Sequence, residues 1–158
     1  MNTDQNEIAI CSGNELGDTL QVCLAIIKEG DAVNPTSANE ELSKASYVVV
    51  KRVGGLVVGV GAIKGQRPGY ARSVAQKSGF QFDENLHEIG YISVRETHRN
   101  QGIAPALIKS LLDVCKIRPL FATTSNETMK SRLSEFGFRK CGNEWQGEKS
   151  ILSLWIKD

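Results

Sequence analysis

Hydrophobic residues follow two different spacings along this chain. Short runs rich in β-branched residues, at 47–50 and 56–63, are typical of buried strands. Other segments place an apolar residue at every third or fourth position, which predicts amphipathic helices. In chain order, the two spacings predict the elements β-α-α-β-β-β-α-β-α-β-β. Hairpins in the middle of the chain and strand–helix alternation later indicate a mixed α+β sheet.

The predicted strands take their bounds from the β-rich runs. They cover residues 8–11, 47–52, 56–63, 89–94, 120–123, 138–141 and 150–156. Gly54 and Gly55 separate the second strand from the third, and glycine readily adopts the positive φ angles of a two-residue hairpin turn. A chain of 158 residues can bury one hydrophobic core, so we expect a single domain over residues 1–158.

Capping boxes, in which Ser or Thr is followed three residues later by Glu, mark the predicted helix starts. They are Ser12 with Glu15, Ser37 with Glu40, and Thr124 with Glu127. The longest predicted helix has one apolar face, formed by Ala104, Leu107, Ile108, Leu111, Leu112 and Cys115. Residues 70–78 are the predicted position of a further short helix, ended by Gly79.

Charge and composition exclude several classes of protein. The 19 basic and 18 acidic residues give a net charge of +1, which creates no strong field toward nucleic acid or anionic membrane. The first seven residues are polar, without an apolar signal region, and the apolar run at 56–63 is too short to span a bilayer. The four cysteines form no CxxC pair, so we interpret them as reduced, buried thiols. We therefore expect a cytoplasmic protein with no membrane contact and no metal site.

The sharpest chemical signal lies at residues 94–105, where a predicted strand runs through a polar loop into a helix. Gly102 lets the backbone approach a ligand closely, and Pro105 suits the first helical turn because its nitrogen carries no hydrogen. Free N–H groups and the helix dipole favour an anion at such a helix start. The loop matches neither the phosphate-binding P-loop nor the dinucleotide glycine fingerprint. The residues alone thus indicate either an anion site or an ordinary strand–helix turn.

The pattern Arg99-x-x-Gly102-x-Ala104 after a strand resembles the acyl-CoA loop of the GNAT N-acetyltransferase superfamily, usually written R/Q-x-x-G-x-G/A. The order of elements resembles that of the family from Ile8 to Ile156. The resemblance implies a GNAT fold, an α+β fold with a mixed, mostly antiparallel central sheet of about seven strands flanked by about four helices.

A second family signature is similar to the segment that starts at Asn126. This residue opens a predicted helix, and Gly137 and Phe138 follow it eleven and twelve residues later. Both signatures stand in the order that the family has.

The resemblance implies an N-acetyltransferase that moves an acetyl group from acetyl-CoA directly to a primary amine, in one ternary complex and without a metal. The acceptor class stays open among small molecules, peptides and proteins. The residues implied in binding the CoA pyrophosphate through their backbone are Arg99, Asn100, Gln101, Gly102, Ile103 and Ala104. Ile92 and Val94 would pair with the pantetheine arm, the Val94 amide would polarise the thioester carbonyl, and Asn126 would contact the pantetheine or an ordered water.

Acyl transfer to an amine requires a base, because a lysine-like amine has a pKa near ~10.4 and is protonated at neutral pH. Glu88 lies six residues before Val94 on the same predicted strand. In some family members, a glutamate at this place is the general base. His87 and His98 are alternative candidates for the base. Without a catalytic role, Glu88 would be a solvated charge at the end of the strand.

The chain departs from the family at Leu133, where many relatives carry a tyrosine that protonates the departing thiolate. Ser134 is a weak substitute, and water can also serve. The departure favours an alternative function as a catalytically weak acyl-CoA-binding regulatory protein. A second alternative, an acetyltransferase acting on aminoacyl-tRNA, is disfavoured by the small net charge. Related proteins often pair, so a homodimer is possible.

The segment 64–87 contains a basic cluster with aromatic neighbours. The basic residues are Lys64, Arg67, Arg72 and Lys77, and the aromatic ones are Tyr70, Phe80 and Phe82. The cluster indicates either a lid for an anionic acceptor, a contact to a phosphate backbone, or a solvated helix without a role in binding.

Overall fold

A computed structural model describes residues 6–30 and 35–158. The strands are β1 Ile8–Cys11, β2 Tyr47–Val53, β3 Leu56–Lys64, β4 His87–Val94, β5 Leu120–Thr124, β6 Arg139–Gln146 and β7 Ile151–Lys157. The helices are α1 Thr19–Glu29, α2 Pro35–Ser43, α3 Pro68–Ser78, α4 Ile103–Val114 and α5 Glu127–Glu135. Short 3₁₀ turns cover Gly13–Glu15 and Glu96–His98. No helix in these described ranges is both long and apolar enough to cross a membrane.

The predicted strands are all present, and so is the further short helix predicted at 70–78. The segment at 70–78 is a full helix, α3, which begins at Pro68 and ends at Gly79 with φ +73°. The described chain therefore contains five helices where the resemblance implied about four. The Gly54-Gly55 turn between β2 and β3 is confirmed, because both glycines have positive φ angles.

The first two helices begin elsewhere than at the predicted capping boxes. The Ser12 amide does donate to the Glu15 carboxylate at 2.8 Å, but this box starts only a 3₁₀ turn. Gly17, with φ +55°, interrupts the helical conformation, so α1 begins at Thr19. In α2, the proline at the first position starts the helix, and Ser37 lies inside it.

The seven strands form one sheet in the order β1-β2-β3-β4-β5-β7-β6. β1 pairs antiparallel with β2 and β2 with β3, while β7 pairs antiparallel with both β5 and β6. The pairing of β4 with β5 is parallel and joins His87 to Leu120 and Glu88 to Phe121. The prediction of a mixed, mostly antiparallel sheet is confirmed.

The chain divides into two compact units. The first unit comprises Met1–Gly65 and Gly90–Lys116, and the second comprises Gln66–Ile89 and Ile117–Asp158. In the first unit, α1 and α2 pack on β2 and β3 around a buried apolar cluster. Its fully buried members include Cys23, Ile26, Leu42 and Val48. The predicted apolar face of α4 is buried in this unit too, with Leu107, Ile108 and Leu111 at 0% exposure.

The second unit has its own apolar core. Helix α3 packs on β6 and β7, and α5 packs on β6. The buried residues of this core are Ala71, Val74, Leu86, Phe121, Cys141, Leu154 and Ile156. Phe121 of β5 belongs to this core together with Ala71 and Val74 of α3, and Phe121 pairs with Glu88 in the sheet.

Gly13 provides a test of packing in the first unit. A Cβ atom at this position would lie against the carbonyl oxygen of Leu42 and 2.8 Å from the Ala45 amide nitrogen. Backbone atoms move less easily than the end of a side chain, and the Gly13 amide donates to the Ala45 carbonyl at 2.9 Å. We expect Gly13→Ala to lower the free energy of unfolding by about 1–3 kcal/mol, measured by urea denaturation.

Gly69→Ala is the matched control. Gly69 lies in α3, and a Cβ atom there would meet nothing within 4 Å. This substitution should leave the stability unchanged or raise it by up to about 1 kcal/mol, because alanine favours helix. Equal effects of the two alanines would contradict the packing described for Gly13.

Candidate functional site

The turn that joins β4 to α4 is built on two residues in the left-handed region. Asn100 has φ +63°, which asparagine tolerates better than most residues, and Gly102 has φ +77°. Gly102 is the N-cap of α4 and is exposed. A Cβ atom there would meet nothing within 4 Å, so the space in front of the glycine is open.

The first turn of α4 presents backbone N–H groups without helical partners. In the described part of the chain, the N–H groups of residues 101–104 have no backbone acceptor, and Pro105 has no N–H. The first hydrogen bond of the helix runs from the Ala106 amide to the Gly102 carbonyl at 3.3 Å. No acidic side chain lies in this turn to compete for the amides. These N–H groups are available to an anion, and the anion site at this position stays a prediction.

Side chains around the turn are anchored in the first unit, which leaves the backbone for binding. Ile103 is buried at 8% exposure and packs over Gly59, and Ile92 packs against Gly61. Val94 is buried at 9% exposure. Any contact of Ile103 with a ligand would therefore come from its backbone rather than its side chain.

Two arginines tie the loop to the end of β4. The Arg99 Nε donates to the Val94 carbonyl at 3.0 Å, and Arg99 is otherwise exposed. Arg95 donates from Nε to the Val57 carbonyl at 2.9 Å and forms a 2.9 Å ion pair with Glu29. These contacts hold both sides of the loop, so the open amides have a fixed direction.

Tyr91, in the middle of β4, has φ +58°. A bulky residue rarely adopts this conformation, which costs about 1–3 kcal/mol and persists only where the surroundings hold it. The Lys64 Nζ lies 4.1 Å from the centre of the Tyr91 ring, a cation–π contact. Lys64 is itself buried at 7% exposure and lies 3.4 Å from the Glu41 carboxylate. The sequence pattern did not indicate this irregularity in β4.

Glu88 is a buried carboxylate, not a solvated charge at a strand end. It is 4% exposed and lies at the paired start of β4 in the second unit. It forms an ion pair with Arg67, whose Nη1 lies 3.4 Å from the Glu88 Oε1. Burial of a carboxylate is costly unless a partner compensates its charge, and Arg67 supplies that charge.

The arginines of the basic cluster predicted at 64–87 have different ion-pair partners. Arg67 pairs with Glu88, and its guanidinium carbon stacks 4.5 Å from the centre of the Tyr70 ring. Arg72 pairs instead with Glu84 at the exposed surface, at 2.9 Å. The sequence does not distinguish these two arginines. Their ion-pair partners depend on how α3 packs.

Asn126 is confirmed as the residue that opens α5. Its Oδ1 accepts a hydrogen bond from the Met129 amide at 2.9 Å, so the side chain caps the helix. The capping box predicted at Thr124 is wrong. Thr124 accepts instead from the Asn126 amide at 3.1 Å, which sets up the turn before the helix.

Three other positions bear on proton transfer, namely 133, 98 and 87. Leu133, at the place of the family's tyrosine, is buried at 2% exposure. The His98 Nδ1 lies 2.8 Å from the Thr97 hydroxyl, and His87 pairs with Leu120 in the sheet.

All four cysteines are free thiols. Burial raises the pKa of Cys23 to about 11, and burial is also the main cause that raises the pKa of Cys11 and of Cys141. These three thiols are therefore protonated at neutral pH and poor nucleophiles. Within residues 6–30 and 35–158, no group of three or more His, Cys, Asp or Glu side chains is arranged to hold a metal ion.

The predicted site residues fall in both units. The first unit contains Ile92, Val94 and the turn from Arg99 to Ala104, and the second contains Glu88 and Asn126. The sequence did not indicate that Arg67 is an ion-pair partner of Glu88 or that Tyr70 stacks on Arg67. The only sequence signal for them was the mixture of basic and aromatic residues at 64–87.

Solved structures share this fold at low sequence identity. An acyl-CoA N-acyltransferase from Pseudomonas aeruginosa superposes with a TM-score of 0.70 at 11% identity, over 97% of this chain and 99% of that chain. A GNAT-family acetyltransferase from Streptococcus agalactiae gives 0.68 at 14% identity, over 96% and 94%. An N-acyl amino acid synthase from uncultured soil microbes gives 0.69 at 16% identity, over 96% and 90%. At these identities the likeness shows the fold.

Sequence comparison identifies the family. No curated protein gives a match to this chain. The model of the acetyltransferase (GNAT) family matches residues 21–138, well over half of the sequence. The chain therefore belongs to the acetyltransferase (GNAT) family.

Proposed function

We propose that this chain is an acetyl-CoA-dependent N-acetyltransferase that acts on a primary amine, with residues 1–158 working as one domain. Family membership supports acyl transfer. The observation that carries the proposal is the open first turn of α4, whose N–H groups at residues 101–104 have no backbone acceptor in the described chain.

The turn suits the pyrophosphate of coenzyme A. Each hydrogen bond to a charged phosphate contributes roughly 1.5–3 kcal/mol, so a few backbone amides are enough for tight binding. The helix dipole adds to this attraction, and the exposed Arg99 adds a positive charge. Ile92 and Val94, on the strand that leads into the turn, would pair with the pantetheine arm, and the Val94 amide would polarise the thioester carbonyl.

Glu88 is the proposed general base. A base has to take a proton from the acceptor amine, and a carboxylate held in one orientation does so better than a mobile one. Glu88 is buried and ion-paired, so its orientation is restricted. The acyl group would pass directly to the amine, because the three thiols with raised pKa values are poor nucleophiles. Leu133 cannot protonate the departing thiolate, and water would supply that proton.

Gly102→Glu tests the donor site. A glutamate here would place a negative charge and a side chain at the open turn, in a backbone conformation with φ +77°. We expect calorimetry to show acetyl-CoA binding to the wild type and no binding to this variant. Gly17→Glu is the matched control, because Gly17 also has positive φ, +55°, and open surroundings. The control should bind like the wild type, and loss of binding in both variants would refute a specific role of Gly102.

Glu88→Gln tests the base. The amide keeps the size of the side chain but cannot accept the proton, so we expect the turnover number to fall by about 10²–10⁴-fold while the affinity for acetyl-CoA stays the same. Turnover is measured as release of free thiol with a panel of polyamines, amino acids and short peptides. Glu84→Gln, at an exposed ion pair of the same unit, should retain full activity. Binding of acetyl-CoA without turnover on any amine would favour the regulatory, binding-only alternative.

Asn126 has a capping role in the structure and a proposed contact to the pantetheine arm, and two substitutions separate them. Asn126→Asp keeps an oxygen for the Met129 amide, whereas Asn126→Ala removes it and should cost about 0.5–2 kcal/mol of stability. If the side-chain N–H group contacts the donor, both variants bind acetyl-CoA more weakly by calorimetry. If Asn126 only caps α5, Asn126→Asp binds like the wild type.

A further inference from the structure

The charged residues of segment 64–87 are not equivalent, and Arg67 reaches a buried acid of the second unit. Its Nη1 lies 3.4 Å from the Oε1 of Glu88, which is 4% exposed. The Arg67 side chain is partly exposed, at 34%, so it connects the buried carboxylate to the surface of the second unit.

Several contacts fix the arginine in place. Arg67 is the N-cap of α3, and its carbonyl accepts from the Ala71 amide at 3.0 Å. Its guanidinium stacks on the Tyr70 ring at 4.5 Å. The Tyr70 hydroxyl lies 2.9 Å from the Thr123 hydroxyl on β5, so the ring that supports the arginine is attached to the sheet.

The contacts form a connected path from the sheet to the acid. Thr123 holds Tyr70, Tyr70 supports Arg67, and Arg67 pairs with Glu88. Glu88 also pairs with Phe121 of β5 in the sheet, two residues before Thr123. Both ends of the path therefore rest on β5, and the carboxylate has little freedom to turn.

We propose that Arg67 is a positioning residue for Glu88, which it holds in one orientation; this inference rests on the proposed function of Glu88 as the base. A carboxylate this deeply buried is unfavourable as an anion without a compensating cation. A base must be anionic to accept a proton from the acceptor ammonium, and it must point toward that proton. The ion pair with Arg67 compensates the charge of Glu88 and restricts its orientation.

Arg67→Met tests the proposal, because methionine keeps an unbranched stem and removes the charge. We expect the turnover number to fall by about tenfold or more, since small displacements of a reacting group are costly. The affinity for acetyl-CoA by calorimetry should stay the same, and so should the KM of the amine. Arg67→Lys should recover part of the loss, because it restores a cation near the carboxylate.

Arg72→Met is the matched control. Arg72 lies in the same helix and also pairs with a glutamate, but at the exposed surface. This variant should be as active as the wild type. Urea denaturation of each variant shows whether it is folded, and the Arg67→Lys variant keeps the test valid if Arg67→Met does not fold.

The double variant Arg67→Met with Glu88→Gln gives the decisive comparison. If Arg67 acts through Glu88, the double variant is no slower than Glu88→Gln alone, because the group that Arg67 positions is already lost. Additive losses, or an unchanged turnover number in Arg67→Met, would overturn the inference. A raised KM for the amine at an unchanged turnover number would also overturn it, since Arg67 would then bind the acceptor.

Failure of the inference is distinguishable from failure of the proposed function. A wild-type protein that releases no thiol from acetyl-CoA with any amine of the panel would refute the function, and the role of Arg67 with it. A wild-type protein that turns over, together with a fully active Arg67→Met variant, would refute only the role of Arg67.

Discussion

The first turn of an α-helix contains backbone N–H groups that the helix itself cannot satisfy, and α4 leaves these groups open. Two features make this possible. The buried face of α4, including Leu107 and Leu111, anchors the helix in the first unit, so its start has a fixed direction. Asn100 and Gly102, both with positive φ, turn the chain sharply before the helix. The exposure of these N–H groups therefore depends on the packing of α4 and on the backbone conformation of the turn.

An ion pair with a buried member lies in each unit. Lys64 lies 3.4 Å from Glu41 in the first unit, and Arg67 lies 3.4 Å from Glu88 in the second. Buried pairs of this kind rarely add much stability, because desolvation offsets their attraction, but removal of one partner leaves an uncompensated charge. Their value here lies in orientation. Lys64 supports the strained Tyr91 in β4, and Arg67 restricts the carboxylate at the start of the same strand.

Sequence patterns predicted the strands and the long helix because each of these elements is determined locally. The period of the apolar residues sets the type of element, and glycines such as Gly79 end it. The errors of the sequence-based prediction lie at the helix starts, where several neighbouring residues are able to cap the helix. Ser12 forms its predicted box, yet Gly17 delays the helix, and at α5 the cap is Asn126 and not Thr124. Such choices depend on turn geometry that hydrophobic spacing does not contain.

By itself, the sequence determined the Arg99-x-x-Gly102-x-Ala104 pattern, the family resemblance and the strand that contains Glu88, because these are properties of consecutive residues. Tertiary structure alone decided that Glu88 is buried, that Arg67 and not Arg72 is its partner, and that Tyr70 reaches Thr123. The reason is physical. A charged residue in a polar segment has many possible partners within a few residues, and only the packing of α3 in the core of the second unit selects among them.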